Sequence, residues 1–177
     1  MADRRADAVP AFHSALDATA SLGLPFYASG EYLPDLPDAA IDTLLDGAIE
    51  LLGHTHPLRQ VVIFGIGQGV TAVPDEATAF SHRDAAYLLH PIIGWSDPND
   101  TEPMIAATRA FSATMRPFST GATYLNFTHE AHRVRDVHGD EKYARLVALK
   151  DRYDPGNLFR LNQNIRPSSP AAEPALA

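Results

Sequence analysis

An apolar run, AAYLLHPIIGW, fills residues 85–95 and sets what kind of core this chain can build. The run is typical of a β-strand and is long enough to lie in the middle of a sheet. A second run, RQVVIFGIGQGVTAV, places β-branched residues around three closely spaced glycines, which predicts two strands or a bulged hairpin over residues 60–73. Together the runs predict a sheet, and we expect its strands to be antiparallel.

Helical periodicity flanks these runs. In LPDAAIDTLLDGAIELLG, apolar residues recur at helical spacing, which predicts a helix over residues 38–52. Asp38 lies near the positive N-terminal end of this helix, and Gly53 is a residue that commonly ends a helix. After the loop SDPND, Asp100 or Thr101 is predicted to cap a helix. The apolar stripe of that helix comprises Met104, Ala107, Phe111, Met115 and Phe118. The fold class predicted is α+β, an antiparallel sheet covered by helices.

Weaker patterns occur elsewhere in the chain. Residues 10–22 are predicted to form a short helix, and ATYLNF, residues 122–127, a strand. Asp140 is predicted to cap a last helix. The residues of that helix expected to face inward are Tyr143, Leu146, Leu149 and Tyr153. The final stretch, SSPAAEPALA, has too little apolar surface to pack and is predicted to be disordered.

Composition argues against several kinds of partner and site. The 177 residues carry a net charge of −8 and a pI near 5.3, which argues against DNA or RNA as partners. The chain has no cysteine, so it has no disulfide framework, thiolate zinc site or cysteine nucleophile. Its start, MADRRADAVPAF, lacks the apolar run of a signal peptide or membrane anchor, so we expect a cytoplasmic location and no membrane partner.

Two groups of residues could be assigned a chemical role, but for each of them a simpler structural explanation is favoured. GIGQG has closely spaced glycines, but a strand is predicted to follow it rather than the helix that a phosphate cradle needs, which favours a sheet bulge. The pairs His54 with His56 and His129 with His132 lack a third ligand at metal spacing, so they are expected to be solvated and no metal site is predicted.

Polar residues in TYLNF and in DRYDPGNLFRLNQNIRP are stronger candidates for a site. By the strand period of two, Tyr124 and Asn126 are predicted to share a face, with ordinary polar sheet positions as the alternative. Asp-Pro-Gly at residues 154–156 ends the last helix and sends a predicted strand away from it. The amides of that strand are Asn162, Gln163 and Asn164.

From about Val61 onward the chain resembles the C-terminal part of the berberine-bridge-enzyme-like FAD-linked oxidases of the vanillyl-alcohol oxidase superfamily. Four stretches carry the resemblance in the expected order: DEATAFSHRDAAYLL, TYLNF, KYARLVALKDRYDPGNLF and RLNQNIRP. The first matches the family's Ala-Phe-x-x-Arg signature at Ala79, Phe80 and Arg83. The resemblance implies a partial substrate domain with a returning C-terminal segment. The resulting division is an unassigned N-terminal segment, this partial domain and a disordered tail, at residues 1–30, 31–167 and 168–177.

The resemblance also implies a cofactor, FAD, and a return of the NQNI segment toward the flavin. On that basis the expected cofactor-binding residues are Asn126, Asn162, Gln163 and Asn164. Amides both donate to and accept from the edge of a flavin ring. The reaction implied is oxidation of an alcohol, an amine or an activated C–H bond of a small metabolite, as in secondary metabolism.

The sequence departs from the family at two places. Phe127 stands where the family's Tyr-x-Asn-Tyr motif has its second tyrosine, so proton transfer is expected to fall to Tyr124, to Glu130 or to no residue. The family's N-terminal FAD domain has no counterpart in this sequence, so we expect that the chain alone does not retain FAD.

Three interpretations remain open at this point. The chain is part of a split or truncated FAD oxidoreductase completed by an FAD-binding partner chain, or a flavin-independent ligand-binding or cyclase-like domain, or a non-catalytic interaction subunit. Half a substrate domain leaves strands unpaired and apolar surface open. We therefore expect the chain to form a homodimer or other oligomer, or to need a partner.

Overall fold

A computed structural model describes Ser14 and residues 23–53, 59–128 and 134–169. Its main elements are β1 (Phe26–Ala28), β2 (Glu31–Leu33), α1 (Asp38–Leu52), β3 (Arg59–Gly65), α2 (Gln68–Thr71), β4 (Tyr87–Gly94), α3 (Thr101–Met115) and α4 (Val134–Tyr153). Single 3-10 turns lie at Asp75–Ala77, Pro98–Asp100, Arg116–Phe118 and Leu125–Phe127. Apart from Ser14, the helix expected at residues 10–22 lies outside the described residues, as do residues 170–177 of the tail.

The strand β4 is the centre of a four-stranded antiparallel sheet. β3 pairs along the whole of one edge of β4, from Arg59 opposite Ile93 to Gly65 opposite Tyr87. β1 and β2 share the other edge, at opposite ends of β4. The predicted central strand, the antiparallel sheet and the α+β class are confirmed.

One face of the sheet is covered by α1 and α3. Leu89 and Ile93 of β4 are fully buried on this face and lie in a core cluster with residues of both helices. The helical members of the cluster are Ala40, Leu44, Leu51, Phe111 and Met115. The helices cross closely at Gly47, where an added Cβ would lie 2.7 Å from the Phe111 ring. Glycine is therefore required at the crossing rather than merely tolerated in the helix.

Both covering helices begin and end close to where their sequences predict, but the start of α3 is held differently. Gly53 ends α1, as expected. Asp100 occupies the N-cap position of α3, yet its side chain makes no capping hydrogen bond. Trp95 Nε1 instead donates to Thr101 Oγ1 over 2.9 Å, which fastens the end of the central strand to the start of this helix.

The prediction of a second strand within residues 60–73 is wrong. The strand β3 ends at Gly65, and the short helix α2 follows from Gln68. The amide of Val70 donates to the Gly67 carbonyl over 2.9 Å, so this segment satisfies its backbone groups locally instead of in a sheet. GIGQG therefore joins a strand to a four-residue helix and is not a sheet bulge.

The prediction of a strand at residues 122–127 is also wrong. Thr123 makes an isolated bridge to Glu31, and residues Leu125–Phe127 form a 3-10 turn in place of a strand. The amide of Phe127 donates to the Tyr124 carbonyl over 2.9 Å and closes the turn. The turn brings the Phe127 ring onto the sheet, where it packs with Phe64 and His90.

The last helix departs from the expected packing. α4 is interrupted at Gly139, whose φ of 71° breaks the helix, and a second helical segment continues from Asp140. Leu149 and Tyr153 were expected to face inward, but they are 52% and 71% exposed, while Tyr143 and Leu146 are half-buried. Polar contacts join the helix to residues 75–82, and its buried apolar side chains are Val134 and Val137.

Residues after α4 form a fixed turn and not the strand that their sequence predicts. The Asp154 carboxylate accepts from the amides of Leu158 and Phe159 over 2.7 and 3.1 Å, so it caps the turn that follows the helix. Asn157 and Asn162 both adopt positive φ, of 51° and 59°, which is incompatible with extended backbone. None of the helices in the described part of the chain is long and apolar enough to cross a membrane.

Candidate functional site

The face of the sheet opposite α1 and α3 carries the candidate site. His90 and Leu88 point to this face, because they alternate along β4 with Leu89, which points to the helices. A cleft of about 190 Å3 opens here, and we call it the sheet-face cleft. Its lining residues are Phe26, Ala28, His90, Ile92, Asn126, Phe127 and Thr128.

Tyr124 and Asn126 lie side by side, as their spacing predicts, although a turn and not a strand brings them together. Asn126 Nδ2 donates to Tyr124 Oη over 2.9 Å. The Tyr124 ring packs edge-on against Phe127, with 4.9 Å between ring centroids, and against Tyr32. Burial, with a smaller contribution from Tyr124, raises the pKa of Tyr32 to about 12, so Tyr32 stays protonated and cannot serve as a base at neutral pH.

His90 is a site residue that the sequence patterns did not bring out. Its ring stacks on Phe127, with 3.6 Å between centroids and 15° between planes. Nδ1 lies 2.7 Å from the Ser29 carbonyl oxygen, which only accepts, so Nδ1 carries the proton. Nε2 then holds a lone pair, and no described residue hydrogen bonds to it. The only sequence signal for this role is a histidine inside an otherwise apolar strand.

The protonation state of His90 follows from its surroundings. Burial lowers the pKa of His90 below its ordinary value, and the hydrogen bond to Ser29 opposes that shift only partly. His90 is therefore a neutral imidazole at pH 7, with an acceptor nitrogen in the sheet-face cleft. A neutral, oriented imidazole of this kind is suited to receive a proton from a bound molecule.

We expect His90 to make stability depend on pH. Because the folded-state pKa is depressed, its contribution is complete above the unfolded pKa of about 6.5 and is lost as pH falls toward the folded value. His90→Gln should flatten this fall in the free energy of unfolding, measured by urea titration between pH 7.5 and pH 5. His138, whose pKa burial also lowers, is a second contributor, so His138→Gln is the matched comparison. An unchanged slope in His90→Gln would contradict the assignment.

The Ala-Phe-x-x-Arg stretch, residues 79–83, packs against Tyr124. The Phe80 ring lies 6.2 Å from the Tyr124 ring, and the Arg83 guanidinium lies over Phe80. Arg83 Nη1 donates to the Val70 carbonyl over 2.9 Å, and Lys142 Nζ donates to the Phe80 carbonyl over 2.9 Å. The signature therefore joins α4 and α2 to the Tyr124 side of the candidate site.

The terminal amides are only partly placed with Tyr124 and Asn126. Gln163 Nε2 donates to the Thr128 carbonyl over 3.0 Å, which joins the C-terminal segment to one wall of the sheet-face cleft. Asn164 lines a separate open cleft with Gln163 and apolar residues of α4, and Asn162 is exposed. Glu130 lies outside the described residues, as do the histidine pairs at residues 54, 56, 129 and 132.

Two of these amides have the chemistry expected for one edge of a flavin. Gln163 Oε1 and Asn164 Oδ1 are buried acceptors with no hydrogen-bond donor among the residues that the structure describes. An unpaired buried acceptor costs about 1–3 kcal/mol, and a ring N–H group would relieve that cost. For the phosphates of a dinucleotide the fit is poor, because the helix after GIGQG has only four residues and so a small dipole.

Other polar clusters among the described residues have structural explanations. A cleft of about 620 Å3 beside α4 is lined in part by His82 and His138, but both rings bond to backbone carbonyls, those of Val137 and Ala79. Within residues 23–53, 59–128 and 134–169, no group of three His, Asp or Glu side chains is placed to hold a metal.

Comparisons with known proteins explain why these features occur together. The family described as "Berberine and berberine like" matches residues 123–166, which include Tyr124, Asn126 and the terminal amides. FAD-linked oxidoreductase OXR1 of Pyricularia oryzae is 36% identical over 107 residues, covering 55% of this chain and 21% of that protein. The chain is similar to part of the berberine-bridge-enzyme-like FAD-linked oxidoreductases. The family resemblance expected from the sequence is thus confirmed.

Further relatives agree with this berberine-bridge-enzyme-like assignment. Berberine bridge enzyme-like 1 of Arabidopsis thaliana is 33% identical over 118 residues, covering 56% of this chain and 22% of that protein. The solved structure of berberine bridge enzyme from Eschscholzia californica superposes with a TM-score of 0.67 at 18% identity, covering 84% of this chain and 34% of that one. That likeness shows the fold, and the chain spans about a fifth of the length of both curated relatives.

Proposed function

We propose that this chain is part of an FAD-dependent oxidoreductase that oxidises an alcohol, an amine or an activated C–H bond of a small molecule. The observation that carries the proposal is the hydrogen-bonded pair Tyr124 and Asn126 beside the neutral His90, on the face of the sheet opposite α1 and α3, in a chain that resembles this family. The cleft offers a substrate the imidazole acceptor of His90 and the amide of Asn126, and Asn126 connects the cleft to the Tyr124 phenol.

FAD, when bound, supplies the two-electron acceptor, and the residues of this chain manage the proton. Tyr124 Oη accepts from Asn126, which leaves its own O–H free to point toward a substrate oxygen or nitrogen. His90 Nε2 accepts the proton that an alcohol or amine releases as it is oxidised. Phe127 cannot take part in proton transfer, but its ring lies between the His90 ring and the Tyr124 ring and fixes both.

The proposal includes a partner chain that provides most of the FAD site. Its support is the C-terminal turn, where Leu158, Phe159 and Leu161 are exposed even though Asp154 and Ser168 anchor the segment. Ordered apolar side chains facing solvent are typical of a surface that another protein covers. The unpaired oxygens of Gln163 and Asn164 lie in the same segment and would face the shared cofactor.

Flavin retention tests this proposal directly. We expect the chain alone to lose added FAD on gel filtration, and to retain it, with flavin absorption bands, when co-expressed with the part of the Pyricularia oryzae relative outside the match. Asn164→Ala and Gln163→Ala should each weaken retention by about 5- to 100-fold, as for a lost hydrogen bond. Asn99→Ala, in an exposed turn, is the control. Retention by the chain alone, or none with the partner, would contradict the proposal.

A further inference from the structure

The helix α1 has a second apolar face that points away from the core. Ile41, Leu45 and Ile49 are 40%, 52% and 71% exposed. Successive members are four residues apart, so they form one continuous stripe along the helix. The face that packs on the sheet uses different residues, among them Leu44 and Leu51. Two apolar faces on one surface helix are more than a single core requires.

An acidic row runs beside this stripe. Asp38, Asp42, Asp46 and Glu50 are all exposed and are also four residues apart. From residue 31 to residue 58 the sequence contains no lysine and no arginine. The carboxylates of α1 therefore have no basic side chain on their own helix to balance them, and the stripe is bordered by a row of negative charge.

The edge of the sheet formed by β3 also carries exposed apolar surface. β3 packs beneath α1 through Val61, and its only partner strand among the described residues is β4. Ile63 of β3 is a large apolar residue that remains exposed, and it shares a sheet face with Leu89, which points to the helices. An exposed apolar side chain on a sheet edge with no further partner strand among the described residues is a common setting for association with another chain.

We propose that this surface docks an amphipathic helix of a second polypeptide, one that sets aliphatic side chains on Ile41, Leu45 and Ile49 and a row of Lys or Arg against the acidic row. The acidic row of α1 favours a basic amphipathic helix as the partner. A second copy of α1 would set one acidic row against another, and like charges at close range oppose such pairing. The proposal involves neither flavin nor turnover, so it goes beyond the proposed oxidoreductase and stands or falls separately from it.

The probe is a pair of synthetic helical peptides with leucine at every fourth position, flanked either by lysines or by glutamates. Fluorescence anisotropy with the full chain should show the lysine peptide binding at least about tenfold more tightly in low salt. The difference should shrink as salt shortens the Debye length from about 30 Å at 0.01 M to about 8 Å at 0.15 M. Asp42→Asn with Asp46→Asn should reduce the same difference.

Leu45→Ser and Ile49→Ser should each weaken binding of the lysine peptide by about tenfold. Leu161→Ser, at a position that is also exposed but lies in the C-terminal segment, should leave it unchanged. Because all three positions are exposed, circular dichroism should show the same fold in every variant. Equal binding of the two peptides, or no loss in the α1 variants, would overturn the proposal. A homodimer in light scattering that Leu45→Ser dissolves would also overturn it, since the occupant would then be a second copy.

Discussion

Tyr124→Phe is expected to lower kcat of the flavin-loaded complex by about 10²–10⁴-fold and to change KM little. The substitution keeps the ring that packs against Tyr32 and Phe127, so the fold of the turn should survive. It removes the hydroxyl that Asn126 holds at 2.9 Å, and with it the group proposed to meet the substrate. Steady-state kinetics of the co-expressed complex, with each variant loaded to the same flavin content, is the measurement.

Three comparisons make this prediction specific. Tyr153→Phe removes a hydroxyl from an exposed tyrosine on α4 and should leave kcat unchanged. Asn126→Ala should lower kcat less than Tyr124→Phe, because the phenol remains and only its orientation is lost. If Tyr124→Phe turns over normally while His90→Gln does not, proton transfer belongs to His90 and the role given to Tyr124 is wrong.

The elements with strong periodicity could be predicted from the sequence. Residues 38–52 match α1 because Leu44 and Leu51 recur on one side and Gly53 ends the helix. Residues 85–95 contain β4 because an apolar run of that length is stable in a strand that is paired along both edges and packed on both faces. In both segments, local preference and tertiary packing favour the same structure.

Segments were mispredicted where particular contacts favour a turn although the residues have high strand propensity. TYLNF has β-branched and aromatic residues, yet its last three residues form a turn that stacks the Phe127 ring on His90. In GIGQG, the carbonyl of Gly67 accepts from Val70, which starts a helical turn that the glycine spacing does not reveal. Pairings between residues far apart in sequence, such as Phe127 with His90, leave no trace in periodicity.

The candidate site was predictable only in part, for the same reason. Tyr124 and Asn126 are two residues apart, so their proximity follows from local geometry in a strand or in a tight turn. His90 joins them through Phe127 and through Ser29, contacts that span much longer stretches of chain. The buried, unpaired oxygens of Gln163 and Asn164 depend on how the turn after Asp154 folds back, which propensity does not encode.

Leu89→Ala should destabilise the protein by about 2–5 kcal/mol, the range for deleting a fully buried leucine. Leu89 lies on the central strand, opposite Ile63 of β3 and Glu31 of β2, so neighbouring strands on both edges limit how far the cavity can close. Its side chain also contacts the cluster that joins the sheet to α1 and α3. Both restraints place the expected loss toward the upper part of the range.

Leu149→Ala provides the matched control for this change, because it removes the same atoms from a side chain that is 52% exposed on α4. Its expected cost is below about 0.5 kcal/mol, since alanine favours a helix at least as well as leucine and little apolar area returns to water. Urea unfolding of the two variants at one pH gives both values. Comparable losses would mean that α4 is covered by a partner or a second copy under the conditions of the measurement, and that the exposed surface described for this helix is not exposed in solution.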